Sequence, residues 1–392
     1  MDALVTEAPR RPRIVVAPDK FKGSLTAAEA ARAIAAGLLR GRADLDVIQL
    51  PVADGGDGTV AAALAAGYQR RSVTVQGPTG EPVEAAFALR GRTAVLEMAE
   101  ASGLSRLPSG QPAPLTASTY GTGELLLAAL DAGCRNLLLG VGGSASTDGG
   151  AGMLQAMGAR LLDASGEDLV RGGAALLDLD RIDTTHLDPR LSDTTVCLAS
   201  DVDNPLVGPN GAATVYGPQK GATSDEVKLL EAALTRYAEI VHRHVGVQVA
   251  HLAGAGAAGG TGAAAIAFFG ARSTSGIALM LDVVGFADAV RGADLVITGE
   301  GSFDAQSLSG KTPVGVARAA ASAGVPVIAL VGRLEVDPDA VRAVGISSAR
   351  ALLEIEPDDA LAQRDAAVLL ARLAEEVGAS FEMATNYPRT RE

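Results

Sequence analysis

One unit recurs along this chain and limits what it can become: a short apolar run, a polar loop with glycine, then a helix start. Its fullest copy runs from Asp294 to Ala320. Leu295-Val296-Ile297 stops abruptly at Thr298-Gly299-Glu300-Gly301, a loop carries Ser302, Asp304 and Ser307, and Gly310-Lys311-Thr312-Pro313 opens a helix. An apolar run so bounded reads as a buried parallel strand. Pro313 suits the first helical turn, where its missing N–H costs nothing. Loops between the carboxyl end of a parallel strand and a helix N-terminus are where α/β proteins take ligands, and the helix end favours an anion. Ser309-Gly310-Lys311-Thr312 is similar to the end of a phosphate-binding loop, but Ala305 stands where that motif needs its first glycine. The motif is therefore not assigned. The plain alternative is that Lys311 is a surface lysine.

Other copies of the unit carry their own chemistry. Ile14–Ala17 is a strand that ends in Pro18-Asp19-Lys20-Phe21-Lys22-Gly23, and Thr26 with Glu29 forms a capping box for a helix from Ala27 to Leu39. Lys20 and Lys22 at this strand end are candidate ligand contacts. Val47–Leu50 is a second strand, followed by Asp54-Gly55-Gly56-Asp57-Gly58 at a helix start. Asp54 and Asp57 can hold Mg²⁺ with its waters retained, or accept a hydroxyl proton; helix capping is the bland reading. Leu137–Leu139 leads into a loop with six glycines between Gly140 and Gly150, and with Ser144, Ser146, Thr147 and Asp148. Gly142, Gly143, Ser144, Ser146 and Asp148 are candidates for a phosphate nest. Thr195–Ala199 ends in Ser200-Asp201-Val202-Asp203-Asn204, where Asp201 and Asp203 cluster as oxygen ligands. Gly254-Ala-Gly256-Ala-Ala-Gly259 matches the dinucleotide pattern in form only, since no clean strand precedes it.

Between residues 71 and 97 the pattern changes to a meander of short strands with turns. The alternation of strand and helix returns near 288. At 392 residues the chain exceeds what one core usually serves, so two domains are expected. A net charge of −13 argues against a general affinity for nucleic acid or acidic membranes. Seven Phe, five Tyr and no Trp leave no stacking platform for single strands. Cys134 and Cys197 read as buried thiols, not a disulfide. No apolar segment suggests a signal or a membrane span, so a cytoplasmic location is expected. Residues 1–12 read as an irregular leader, and the tail from Ala379 as mobile.

Six stretches together resemble the glycerate kinase family, of the bacterial type similar to glycerate 2-kinase: residues 17–31, 51–59, 140–152, 200–222, 254–264 and 297–317. The resemblance implies ATP- and Mg²⁺-dependent phosphorylation of D-glycerate, with the 2-hydroxyl favoured. It also implies two α/β domains. One is a Rossmann-like parallel-sheet domain (1–75 and 288–392), interrupted by a mixed-sheet domain (76–287), with the active site in the cleft between them. For such a reaction Lys20, Asp54, Asp201 and Lys311 are the catalytic candidates. Asp57 and Asp203 are the metal candidates. Lys22, Gly301 and Ser302 join the 142–148 loop as nucleotide contacts. The expected partner is the small-molecule substrate, with no nucleic acid or membrane, and a monomer or homodimer. The rival readings are a non-catalytic sensor on the same scaffold, an NAD-dependent dehydrogenase, and a kinase for a related hydroxy acid.

Overall fold

The computed structural model describes residues 10–108 and 111–382. Most of the expected leader, the start of the 109–119 loop and most of the expected mobile tail lie outside the described residues. In chain order the strands are β1 (Arg13–Pro18), β2 (Asp46–Gln49), β3 (Gln69–Gln76), β4 (Pro82–Arg90), β5 (Thr93–Glu97), β6 (Asn136–Gly140), β7 (Arg160–Leu162) and β8 (Arg181–Asp183). They continue as β9 (Thr195–Ala199), β10 (Arg272–Thr274), β11 (Leu295–Gly299), β12 (Ser302–Phe303), β13 (Val327–Val331), β14 (Arg333–Leu334) and β15 (Ser348–Ala351).

The chain folds as two α/β units. The first runs to Ala53 and resumes at Leu281; the second spans Asp54–Met280. The sequence reading set these passages at 75/76 and 287/288. The structure sets them earlier because β3 belongs to the second unit's sheet, and the helix Thr59–Ala65 packs on β4 and β5 of that sheet.

The first unit holds a five-stranded parallel sheet in the order β15-β13-β11-β1-β2. Both β1 and β11 are buried almost throughout, which is why each reads as an unbroken apolar run. They pair in register, Ile14 with Leu295 through Pro18 with Gly299. Asp294 secures the start of that pairing: its carboxylate accepts from the Arg13 N–H at 2.7 Å, and its own N–H donates to the Arg13 carbonyl at 2.8 Å. The Thr26–Glu29 capping box forms as expected and starts the helix Ala27–Gly41. This helix lies against the helix Ala366–Ser380 at backbone contact. A Cβ on Gly37 would stand 2.1 Å from the Ala371 carbonyl oxygen.

The second unit holds a six-stranded mixed sheet in the order β10-β9-β6-β5-β4-β3. β3, β4 and β5 form the expected antiparallel meander, while β5, β6, β9 and β10 run parallel. Leu125, Leu139, Met153 and Tyr237 are fully buried in its core.

Several elements depart from the sequence reading. The stretch around Asp282 is the helix Gly276–Val284, and β10 precedes it. The single closing helix is two, Asp359–Arg364 and Ala366–Ser380, so Ala379 is still helical. Ala258, Gly259 and Gly260 adopt consecutive left-handed conformations before the helix that ends at Phe269. Two glycines make that run affordable, and Ala258 carries its strain.

Gly37→Leu tests the helix contact. The added side chain meets backbone, which cannot rotate away, and should destabilise by about 1–3 kcal/mol or more. Thermal denaturation should show a clearly lower midpoint; an unchanged midpoint would refute the contact.

Candidate functional site

Each unit gathers polar side chains where its parallel strands end. In the first unit β1 runs out into Asp19 and β11 into Glu300. Asp19 is 7% exposed and Glu300 is 8% exposed. The Asp19 carboxylate accepts from the Thr312 hydroxyl at 2.7 Å and from the Lys20 N–H at 2.6 Å, and the Asp19 N–H donates to the Gly299 carbonyl at 2.8 Å. It thereby joins β1, β11 and the first turn of the helix Thr312–Ala321. Lys311 sits at the N-cap of that helix, and its Nζ donates to Gln306 Oε1 at 3.5 Å.

The loop after β11 is folded on its own backbone. Asp304 Oδ1 accepts from the N–H groups of Gln306 and Ser307 at 2.8 and 3.0 Å. Against the burial that raises it, the Ser307 N–H and the Lys311 charge hold the Asp304 carboxyl below its ordinary value. Asp304 therefore shapes this loop. Glu300 differs. Burial pushes its carboxyl from 4.5 up to about 7, against a hydrogen bond from Ser307 and the charge of Lys311 and together with the charges of Asp19 and Asp304. Its Oε1 has no hydrogen-bond partner among the described residues. Lys20 is half-buried and Lys22 exposed. Gly301 is packed by backbone: its added Cβ would stand 3.0 Å from the Lys22 nitrogen. Ser302 is exposed and lies on β12, which pairs with β14.

In the second unit the loops after β6 and β9 meet the Asp54–Gly58 turn. A Cβ on Gly142 would stand 2.6 Å from Gly56 Cα, and one on Gly276 would stand 1.9 Å from the Asp54 carbonyl oxygen. This packing brings three expected residues together. Asp201 Oδ1 accepts from the Gly276 N–H at 3.1 Å, and the Ser275 side chain also bonds to it. Crowding of its carboxyl raises its pKa first, and the nearby charges of Asp54 and Asp203 raise it further. Asp57 stands apart from them, beside Gly143, whose added Cβ would lie 2.4 Å from Asp57 Oδ1. Among the described residues no group of three or more His, Cys, Asp or Glu is placed to hold a metal. Mg²⁺ keeps most of its waters and needs only one or two carboxylates, so the oxygen donors of Asp54, Asp201 and Asp203 fit it in kind.

The loop from Gly140 to Gly150 is built differently from the expected phosphate nest. Ser146 and Asp148 are 0% exposed and Ser144 is 6% exposed. Asp148 accepts from the Thr119 N–H and hydroxyl at 2.8 and 2.9 Å and from the Gly150 and Gly152 N–H groups at 3.1 and 3.2 Å. Burial pushes its carboxyl up, against these hydrogen bonds. Beneath the loop lies Lys220, 3% exposed, whose Nζ donates to Ser144 Oγ at 2.9 Å and to the Ser146 carbonyl at 2.6 Å. Burial lowers the lysine from 10.5 to about 7, against the attraction of Asp148. In this arrangement Ser144, Ser146 and Asp148 face inward and fix the loop.

Sequence reasoning missed Lys220, Glu97 and the Asp19–Thr312 pair as organising residues. Lys220 sits among Gly217, Pro218, Gln219 and Gly221, a composition that reads as an exposed turn. Glu97 ends β5 and is 6% exposed; its Oε1 accepts from the Val60 N–H at 2.5 Å, at the start of the helix Thr59–Ala65. Burial lifts Glu97 to about 7, against the N–H groups of Val60 and Gly58. A strand-end carboxylate was the only available signal for Glu97 and for Asp19.

Polar loops at the carboxyl ends of strands in two α/β units define the class of ligand-binding α/β proteins. Residues 14–382 match the model of the glycerate kinase family. A glycerate kinase of Halalkalibacterium halodurans is 49% identical, with 90% of this chain and 94% of that protein covered. A glycerate 2-kinase of Escherichia coli is 46% identical over 87% of this chain and 90% of its own length. The crystal structure of a putative glycerate kinase 2 from Salmonella typhimurium LT2 superposes with a TM-score of 0.83 at 44% identity, covering 95% of this chain and 98% of that one. The chain belongs to the glycerate kinase family.

Asp148→Asn tests the inward-facing loop. An amide offers one acceptor oxygen to four donors and turns an N–H₂ toward some of them. The cost should be about 2–5 kcal/mol, measurable by urea denaturation. A midpoint equal to wild type would show that the Asp148 bonds do not hold the loop.

Proposed function

We propose that this chain transfers the γ-phosphoryl group of ATP to the 2-hydroxyl of D-glycerate, giving 2-phosphoglycerate and ADP. The observation that carries the reading is the family match over residues 14–382, with relatives named glycerate kinase and glycerate 2-kinase. The candidate residues suit the chemistry. Phosphoryl transfer depends on positioning and on charge stabilisation around the moving group. Lys20 and Lys311 supply cations at the strand ends of the first unit. They hold the substrate carboxylate or the phosphates. The N-terminus of the helix Thr312–Ala321 adds its N–H groups.

Asp54, Asp201 and Asp203 hold Mg²⁺, which supplies neutralising charge for the β- and γ-phosphates. Asp57 lies beside the Gly143 backbone and assists from there. Gly142 and Gly143 present backbone to the nucleotide, and the buried Ser144, Ser146, Asp148 and Lys220 keep that backbone in place. Lys22, Gly301 and Ser302 line the first unit's share of the nucleotide contacts. Among the described residues no helix is long and apolar enough to cross a membrane. We place the enzyme in the cytoplasm, where ATP and small hydroxy acids are found together.

The test is an assay with ATP, Mg²⁺ and D-glycerate, with phosphorus NMR of the product. ADP release with phosphate on C2 is expected. Phosphate on C3 would overturn the regiochemistry, and binding without turnover would favour a sensor. Lys20→Met and Asp201→Asn should each lower kcat by about 10²–10³-fold with unchanged melting. Near-normal turnover in both would remove these residues from the mechanism.

A further inference from the structure

Glu300 is the buried titratable group that the roles above leave unused. It follows directly on β11, at the strand end where Asp19 and Lys311 also gather. Four features set it apart. It is 8% exposed. Its Oε1 has no hydrogen-bond partner among the described residues. The charged groups facing it are Asp19 from the end of β1, Asp304 from the following loop and Lys311 from the helix N-cap, two like charges against one opposite. The other partner it has is the Ser307 hydroxyl, from the loop that covers it. A buried oxygen left unpartnered costs about 1–3 kcal/mol. Such a cost persists in a folded protein where another molecule completes the bond.

A purely structural carboxyl would look different, and this chain supplies the comparison. Asp148 and Asp304 spend their oxygens on backbone N–H groups of their own loops. Asp19 spends its own on Lys20 N–H and Thr312. Glu300 alone in this cluster keeps an oxygen back. The cover over it is slight: the loop is held by bonds within itself and by the two-residue ladder of β12 with β14. A small displacement of Ser307 therefore exposes Oε1 to a molecule at the strand ends.

We propose that Glu300 is a catalytic residue, whose Oε1 accepts the hydrogen of the acceptor hydroxyl during phosphoryl transfer. This rests on the kinase reading above. The hydroxyl oxygen forms its bond to the γ-phosphorus as the bond from that phosphorus to the ADP oxygen breaks. The hydroxyl proton passes to Oε1 and leaves to solvent when the product departs, so one proton is released per ADP formed. Lys311 draws Glu300 toward its carboxylate form, while burial and the two aspartates draw it toward the acid, which keeps it near the balance that a proton acceptor needs at neutral pH.

The experiment is kcat against pH, from 5.5 to about 8.5, for wild type, Glu300→Gln and Glu300→Asp with ATP, Mg²⁺ and D-glycerate, with thermal melts of each. A base must be ionised, so wild-type kcat should fall about tenfold per unit below pH of about 7. Glu300→Gln should lose about 10²–10³-fold in kcat with KM for ATP little changed, and should lose the acid limb. Glu300→Asp should keep the limb at reduced rate. Its melting should serve as a separate check: the folded protein holds the Glu300 proton up to about 7, the unfolded chain only to 4.5. Burying the carboxylate thus costs stability increasingly as pH rises between those values and fully above them. Glu300→Gln should therefore gain on wild type as pH rises. A glutamine variant within about threefold of wild type, or one that keeps the acid limb, would overturn the proposal. If Glu300→Gln does not fold, a flat wild-type profile overturns it and an acid limb that Glu300→Asp shares supports it. A wild type that turns over no glycerate overturns the kinase reading itself, and the proposal with it.

Discussion

The functional ends of both units depend on backbone lying directly against backbone. In the second unit the Asp54–Gly58 turn, the loop after β6 and the start of the helix Gly276–Val284 meet with no side chain between them. In the first, Gly301 lies against the Phe21–Lys22 segment, and a Cβ on Gly332 would stand 2.3 Å from the Gly301 carbonyl oxygen. Contacts this close bring main-chain groups and short acidic side chains within reach of each other. That is how Asp54, Asp201 and Asp203, far apart in the chain, come to sense one another's charge. The many glycines of this sequence are therefore a requirement of its polar loops more than a sign of looseness.

Beneath these loops the second unit places charge in its interior. Asp148 and Lys220 are both almost wholly buried, and each is satisfied chiefly by neighbours other than its opposite charge. Isolated buried charges are costly, and pairing offsets that cost only with good hydrogen bonds. Here the bonds go to the loop that the family resemblance makes most prominent. The structure thus uses the desolvated pair to hold one backbone path among several a glycine-rich loop would otherwise sample.

Much of the architecture was legible in advance. β5 and β9 fall at the expected residues, and β11 was visible from Leu295-Val296-Ile297, because strands buried on both faces admit little but apolar side chains. The Thr26–Glu29 box was readable because it is a local bond. The clusters were less legible. Asp19 and Thr312 are separated by 293 positions and meet only through the pairing of β1 with β11. Lys220 sits in a turn-like context, and nothing in its neighbours announces that the loop above closes over it. The inward orientation of Ser144, Ser146 and Asp148 is likewise a tertiary fact. Hydroxyls among glycines look the same whether they face a phosphate or the core.

The pairing of β1 with β11 has a consequence for how this protein comes into being. Ile14 leaves the ribosome long before Leu295, its partner in the central ladder. At about 5–20 residues per second the delay is on the order of tens of seconds. During that interval Ile14, Val15 and Val16, which end up fully buried, have no sheet to join. The second unit, continuous in sequence, has all its strands available first. Synthesis therefore imposes an order: the inserted unit is complete while the first strand of the enclosing one still waits, an apolar segment that chaperones would be expected to shield.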